Sequence, residues 1–295
     1  MLTLLINPAA GNGRSKKIAK AVQERLAEKG IEYRLLITEA PGHATELARR
    51  AAEGYRKGDY LITLGGDGTF LETLQGVLGS ELPIAAIPAG TGNDFLKSLK
   101  VPKEPLEALE HILAAPVRRI DVGRVNGALF ANECGAGFDV AVLDYAEKAK
   151  KHCRGLLPYL WGVLRAIFSA KPIPMEITAD GKTVFCGDCL VFSVANGPYI
   201  GGGIHISPEA DPESGKLELI VLRNCPRARM TFRYLPGLLQ GKILTFADTV
   251  VHCRADTVTA RPLQADRLRV NVDGEIRDLP ACDFSIRPAS LPIHM

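Results

Sequence analysis

The chain has 295 residues, 46% apolar and 23% charged. That balance supports a large buried core, excludes disorder as the main state, and sets a prior of about two domains. Lys+Arg exceed Asp+Glu by only 36 − 33 = +3, too mild a bias to point to a nucleic-acid partner.

Residues 2–6 form an apolar run with strand character, and 15–29 follow with Ile18, Val22 and Leu26 at helical spacing. A strand over 31–37, a helix over 44–53, a strand over 60–64 ending in Gly65-Gly66, a helix over 69–78 and a strand over 83–87 continue the alternation. This rhythm predicts an α/β N-terminal domain, a parallel sheet with helices on both faces. Ligands of such sheets sit beyond the carboxyl ends of the strands, and the Gly-rich segments fall there.

From about residue 117 the rhythm changes. Strands over 118–125 and 129–134 flank Asn126-Gly127, a hairpin signal. Further strands are predicted over 175–179, 183–195, 217–222, 248–260 and 268–272, with Asp180-Gly181 and Asp273-Gly274 as turns. Helical patterns fall at 140–150, 156–168 and 227–239. The expected organisation is a nucleotide-binding α/β domain over 1–120 and a β-rich antiparallel domain over 121–295.

The longest uncharged stretch, 189–208, is broken by Gly197, Pro198, Gly201, Gly202 and Gly203, so it cannot be a spanning helix. The start of the chain lacks a basic leader and a small-residue cleavage site, and reads as a first strand. Seven scattered cysteines do not resemble a disulfide framework, so a reducing cytoplasm is the expected location.

Three Gly-rich loops carry the chemistry. In Gly65-Gly66-Asp67-Gly68-Thr69 a strand runs into a helix start, where amides favour phosphate. A carboxylate inside such a loop repels phosphate unless a divalent cation lies between them; the plain alternative is a capping Asp in a turn. Gly90-Thr91-Gly92-Asn93-Asp94 repeats the arrangement at the next strand end, and Asp94 is also a candidate helix cap. Asn7-Pro8-Ala9-Ala10-Gly11-Asn12-Gly13 is neither a Walker A loop nor a dinucleotide fingerprint. Beside the other two it fits a phosphate cradle, with Arg14, Lys16 and Lys17 as candidate countercharges.

These loops resemble the diacylglycerol kinase catalytic-domain family, and within it the YegS/DgkB/BmrU-like group of bacterial soluble lipid kinases. The resemblance extends to Asn132-Glu133-Cys134-Gly135-Ala136-Gly137-Phe138-Asp139, Ala195-Asn196-Gly197, Gly201-Gly202-Gly203 and Val272-Asp273-Gly274-Glu275. It implies transfer of the ATP γ-phosphate to a lipid hydroxyl, diacylglycerol by default, giving phosphatidic acid. ATP and Mg²⁺ are the implied cofactors. Asn7, Pro8, Gly11, Asn12, Gly13, Thr38, Gly65, Gly66, Asp67, Gly68, Thr69, Thr91, Gly92 and Asn93 would bind nucleotide. Asp67, Asp94 and Asp273 would bind or orient catalytic Mg²⁺. The resemblance further implies transient peripheral membrane contact, a homodimer as in some relatives, and a chain end over 287–295 that returns to the first domain.

An alcohol acceptor needs a carboxylate within reach of its hydroxyl. Glu275 is favoured as base with Asp273 linked to metal, swapped roles remain open, and a hairpin turn with solvated acids is the bland reading. One departure stands out. Many relatives carry an Asp that holds a structural Mg²⁺ where this chain has Ser214, leaving Asp211, Ser214 and Lys216 at that position. A hydroxyl is a poor Mg²⁺ ligand without a carboxylate beside it. Two other readings stay open: a NAD kinase or other small-molecule kinase that shares the GGDGT loop, and a nucleotide-binding regulatory protein without transfer activity.

Cys186-Gly187-Asp188-Cys189 has no second pair for zinc and no helix start for redox work, so two buried thiols are expected. The six His show no metal spacing. The 156–168 pattern is unusually apolar and is preceded by Lys148, Lys150, Lys151, His152 and Arg154. It reads first as a helix packed on the second domain's sheet, and second as a membrane-facing element. Tyr234–Leu239 carries the same two readings.

Overall fold

Continuous apolar strands call for cover on both faces, and amphipathic helices supply it. The computed structural model describes residues 1–149 and 157–295. These divide into two units, Met1–Asp121 with Ala289–Met295, and Val122–Pro288. The basic run over 150–154, Cys153 and Leu156 lie outside the described residues.

In the first unit, β1 (Leu2–Ile6), α1 (Arg14–Glu28), β2 (Tyr33–Ile37), α2 (His43–Glu53), β3 (Tyr60–Gly65), α3 (Asp67–Val77) and β4 (Ile84–Pro88) alternate. The parallel sheet has the order β2-β1-β3-β4, with Leu4 between Leu35 and Ile62, and Ile62 beside Ala85. β1 and β4 are buried throughout and β3 nearly so, while β2 is a half-exposed edge, as sheets with helices on both faces require. Short α4 (Asp94–Ser98) and α5 (Pro105–Ala114) complete the unit. Ile293, near the chain end, pairs in parallel with Ile84. The Ala289 amide donates to Asp121 Oδ1 at 2.7 Å. After β1 the chain moves to β2 on one side, then crosses to β3 on the other. The switch point therefore lies between the carboxyl ends of β1 and β3.

The second unit is antiparallel: β5 (Val117–Val125, entering from the first unit), β6 (Ala128–Phe130), β7 (Glu133–Gly137), α6 (Phe138–Ala149), α7 (Leu157–Ser169), β8 (Ile173–Ala179), β9 (Lys182–Ala195), β10 (Tyr199–Ile200), β11 (Ile204–His205), β12 (Leu217–Arg223), α8 (Arg227–Arg229), α9 (Leu235–Leu239), β13 (Val250–Ala255), β14 (Thr257–Pro262), β15 (Leu268–Val272), β16 (Glu275–Leu279) and β17 (Cys282–His294). Its ladder runs β16-β15-β7-β9-β8-β14-β17, with β12 joining β9 to β13. One core centres on Phe130, Phe192 and Phe284. A second lies under α6, α7 and the 230–243 stretch. β12 serves both, with Leu219 and Val221 facing the first and Ile220 and Leu222 the second, the two-residue alternation of a strand. Among the described residues no helix is long and apolar enough to cross a membrane.

Several boundaries differ from the sequence reading, each for a local reason. The strand expected over 129–134 splits into β6 and β7, because the amides of Ala131, Asn132 and Glu133 turn to the Asp273 carboxylate. The strand expected over 248–260 splits at Asp256, where the Asp180 carboxylate accepts the Asp256 and Thr257 amides. The 227–239 helix contains a π turn, Met230–Tyr234, just before Pro236, which has no N–H and whose ring crowds the carbonyl four residues back. Cys186 is exposed rather than buried; Cys189 is buried against Met175 Sδ at 3.5 Å. α5, β10, β11, β16 and β17 are additions to the predicted elements.

Candidate functional site

The carboxyl ends of β1, β2, β3 and β4 open on one cavity of about 410 Å³. Asn7, Pro8 and Gly11 come to it from β1, Thr38 from β2, Gly66, Gly68 and Thr69 from β3, and Gly90 from β4. Three glycine-rich loops distant in sequence thus share one wall at the switch point.

Close packing of bare backbone makes this possible. A Cβ on Gly90 would stand 2.6 Å from Gly66 Cα, so neither position tolerates a side chain without shifting the other loop. Gly11, at φ +59°, sits where a Cβ would come 2.2 Å from the Ala89 carbonyl oxygen. Side chains then pin the loops. Asn7 Nδ2 donates to Thr69 Oγ1 at 2.9 Å, and Asn7 Oδ1 accepts the Ala9 amide at 3.0 Å. Arg14 donates to the Gly90 carbonyl at 3.2 Å, and Asn93 exchanges hydrogen bonds with Gly90 at 3.0 and 3.1 Å. Helix α3 begins with Asp67. Its first i→i−4 bond is from the Phe70 amide to the Gly66 carbonyl, so the amides of 67–69 stand ahead of the ladder, with the positive end of the helix behind them.

Asp67 reaches across to α4: its two oxygens accept the Asp94 and Phe95 amides at 3.0 and 3.1 Å. It therefore caps the neighbouring helix, where Asn93 at the cap position makes no side-chain capping bond. Desolvation first, and the charge of Asp94 second, raise the Asp67 carboxyl above its ordinary range. The two carboxylates flank Gly92, where a Cβ would lie 3.3 Å from Asp94 Oδ2 and 3.5 Å from Asp67 Oδ2. Asp94 also pairs with Lys97 at 2.7 Å. Two acids forced together, one with raised proton affinity, are a donor set that a divalent cation would suit if phosphate or water supplied its other ligands.

Other candidates lie apart from the cavity. Asn12, Gly13, Gly65, Asp67, Thr91, Gly92, Asn93 and Asp94 do not line it, whereas Glu39, Ala40, Pro41 and Glu72, absent from the sequence reading, do. Glu72 Oε2 accepts the Ala44 amide at 3.2 Å, fixing the start of α2. Lys16 and Lys17 are exposed on α1.

In the second unit Asp273 occupies the β15–β16 turn at φ +47°. Its carboxylate accepts the Ala131, Asn132 and Glu133 amides at 2.6, 3.0 and 2.8 Å. Asp273→Ala is expected to lower stability by about 3 kcal/mol through three stranded amides, read as a lower urea midpoint; Asp273→Asn, which keeps one acceptor, should lose about half of that. Glu275 opens β16 with an exposed carboxylate, 3.0 Å from Arg277. Glu133 and Asp139 are buried at 2% and 5% exposure.

The segment implied to hold a structural Mg²⁺ does not fit one. Asp211 Oδ1 accepts the Glu213 amide, Ser214 Oγ bonds within its own turn to Lys216, and Lys216 Nζ pairs with Asp256 at 2.8 Å. Among the described residues no cluster of three His, Cys, Asp or Glu is placed to hold a metal.

A phosphate-type cradle at a parallel-sheet switch point, followed in the chain by an antiparallel β-rich unit, defines the class: an α/β group-transfer fold of kinase type. The comparisons narrow it. Residues 1–125 match the diacylglycerol kinase catalytic domain, and 132–295 match the YegS C-terminal NAD kinase beta sandwich-like domain. The chain is 30% identical over 276 residues to a diacylglycerol kinase of Bacillus subtilis, spanning 92% of this chain and 88% of that one. It is 29% identical over 300 residues to a diacylglycerol kinase of Mycobacterium tuberculosis, spanning 99% and 94%. A crystal structure of a diacylglycerol kinase from Bacillus anthracis shares the fold, with TM-score 0.74, 23% identity and coverage of 99% and 96%. The chain belongs to the diacylglycerol kinase and YegS-like lipid kinase family.

Proposed function

We propose that the protein transfers the γ-phosphate of ATP to the hydroxyl of a lipid alcohol, with diacylglycerol as the first acceptor to test. The observation that carries this is the convergence of the three loops on one cavity at the switch point, with the Asp67–Asp94 pair beside Gly92. In this reading the amides at the start of α3 and the Thr69 hydroxyl bind phosphate oxygens, and Asn7 holds Thr69 in place. Asp67 and Asp94 would hold Mg²⁺, which when bound neutralises phosphate charge. Glu275 takes the proton of the acceptor hydroxyl as its oxygen bonds to the γ-phosphorus and the bond to the leaving ADP breaks. Asp273, committed to three amides, positions the turn that carries Glu275.

The test is incubation with labelled ATP and mixed micelles of diacylglycerol, ceramide or sphingosine, with NAD as a separate arm, each with and without Mg²⁺. Label in the lipid that requires Mg²⁺ supports the reading. Label in NAD alone, or in nothing, overturns it. Glu275→Gln is expected to lower kcat by about 10²–10⁴-fold with KM for ATP unchanged.

A further inference from the structure

The β15–β16 hairpin closes with a two-residue turn, Asp273 and Gly274 at φ +47° and +95°, between the paired Val272 and Glu275. Both turn amides are tied to neighbouring groups. The Asp273 amide donates to the Glu133 carbonyl at 3.0 Å. The Gly274 amide donates to the side-chain Oδ1 of Asn271 at 2.7 Å. Asn271 is buried, so without that bond the pair would have little water to turn to. Glu275 follows directly with an exposed side chain, so its place is set by the turn before it rather than by packing around it.

Strand register shows what stands behind Asn271. Asn271 on β15 is opposite Gly135 on β7, and Gly135 is opposite Ser193 on β9. The middle of this row has no side chain, and the Glu133 and Asp139 carboxyls take the space: a Cβ at Gly135 would stand 2.5 Å from an oxygen of each. The Gly274 N–H is a donor, so it takes Asn271 Oδ1 and leaves Nδ2 for an acceptor. Asp139 supplies one. Burial lifts its carboxyl to about 7, and hydrogen bonding from the Asn271 side chain works against that rise. A carboxylate only accepts, so it holds the Asn271 amide in the orientation that serves Gly274.

Stability does not account for this arrangement. A carboxyl whose proton affinity rises on folding makes the folded state less stable near neutral pH, and an asparagine of nearly the same shape would avoid that. Groups kept against stability are expected where a site needs them.

We propose that Asn271, oriented by Asp139, is a positioning residue: it fixes the turn through Gly274 and so sets the Glu275 carboxylate against the acceptor hydroxyl. This rests on the role of Glu275 in the proposed reaction, and the test separates the two. Rates are measured with labelled ATP and diacylglycerol micelles. Asn271→Ala should lower kcat about 10²-fold with KM for ATP unchanged. In a Glu275→Gln background the same change should cost less than about threefold more, because the two residues act as a unit. Asp139→Asn guards against a folding defect in the first variant. Near about pH 8 it should raise the urea midpoint and still lower kcat about tenfold. A side chain that only held the fold together would not move stability and activity in opposite directions. Full activity of either single variant, or losses that multiply in the double variant, overturns the positioning alone. A parent that transfers no label overturns the proposed reaction, and Glu275→Gln as active as the parent overturns its base; the positioning falls with either.

Discussion

Asp67→Asn is expected to lower phosphoryl transfer by about 10²–10³-fold while moving the thermal midpoint by only a few degrees. The two effects separate because the carboxylate has two tasks. As a cap it accepts the Asp94 and Phe95 amides, and a carboxamide oxygen keeps one of those bonds. As a charge it stands beside Asp94, whose proximity raises the Asp67 proton affinity. Removing the charge relieves that repulsion, which offsets the lost bond, but under the proposed function it would also leave Mg²⁺ with one carboxylate instead of two. The signature is therefore a higher Mg²⁺ concentration for half-maximal rate, together with the lower kcat, in a protein that melts normally. Transfer within tenfold of the parent would reduce Asp67 to a helix cap and move the cation elsewhere.

The first unit was readable because its signals are local. Each glycine string stands directly after a strand in sequence, and a parallel sheet brings all carboxyl ends to one edge, so the loops could be assigned to one site before their contacts were known. What the string could not reveal is where its carboxylates point. Asp67 caps a helix that starts 27 residues later, a contact set by sheet order rather than by spacing. Glu72 was reachable, since it follows Thr69 by three residues on the same helix, but no glycine marked it. The Asp273-Gly274 turn was legible as a dipeptide, whereas its amide partners are 140 to 142 residues away in the chain. The same long-range carboxylates, Asp273 and Asp180, cut two strands whose apolar patterns ran on unbroken. Helix α5 buries only Ala108, Leu109 and Ile112, too small a stripe to stand out, and β16 is rich in charge at the edge of its sheet. For α7 the periodicity held for both faces, so packing and exposure are both true of it, on opposite sides.

Stability is expected to fall as pH rises from about 4 to about 7, and Asp139→Asn is expected to remove much of that fall. Glu133 and Asp139 approach each other at Gly135, where a Cβ would stand 2.5 Å from Glu133 Oε1 and 2.5 Å from Asp139 Oδ2. Burial is the main cause that raises both carboxyls; the charge of Asp139 adds to it at Glu133, and Asp139 is pushed up to about 7. In the unfolded chain such groups titrate near 4. Between those values the folded state holds protons that the unfolded state has released, so the slope of stability against pH is negative there. The contribution is fully present below the unfolded value, is lost through the folded value, and is constant beyond it. Glu218, also raised to about 7 chiefly by burial, acts in the same direction. His252, lowered by burial, acts oppositely below about 6.5 and so reduces the fall within that window. A shift from 3.8 to about 7 corresponds to about 4 kcal/mol at roughly 1.4 kcal/mol per unit. Asn cannot ionise, so the variant should unfold at a similar urea concentration at or below about pH 4 and at a clearly higher one near about pH 8. Parallel pH curves for parent and variant would show that the buried pair does not carry the dependence.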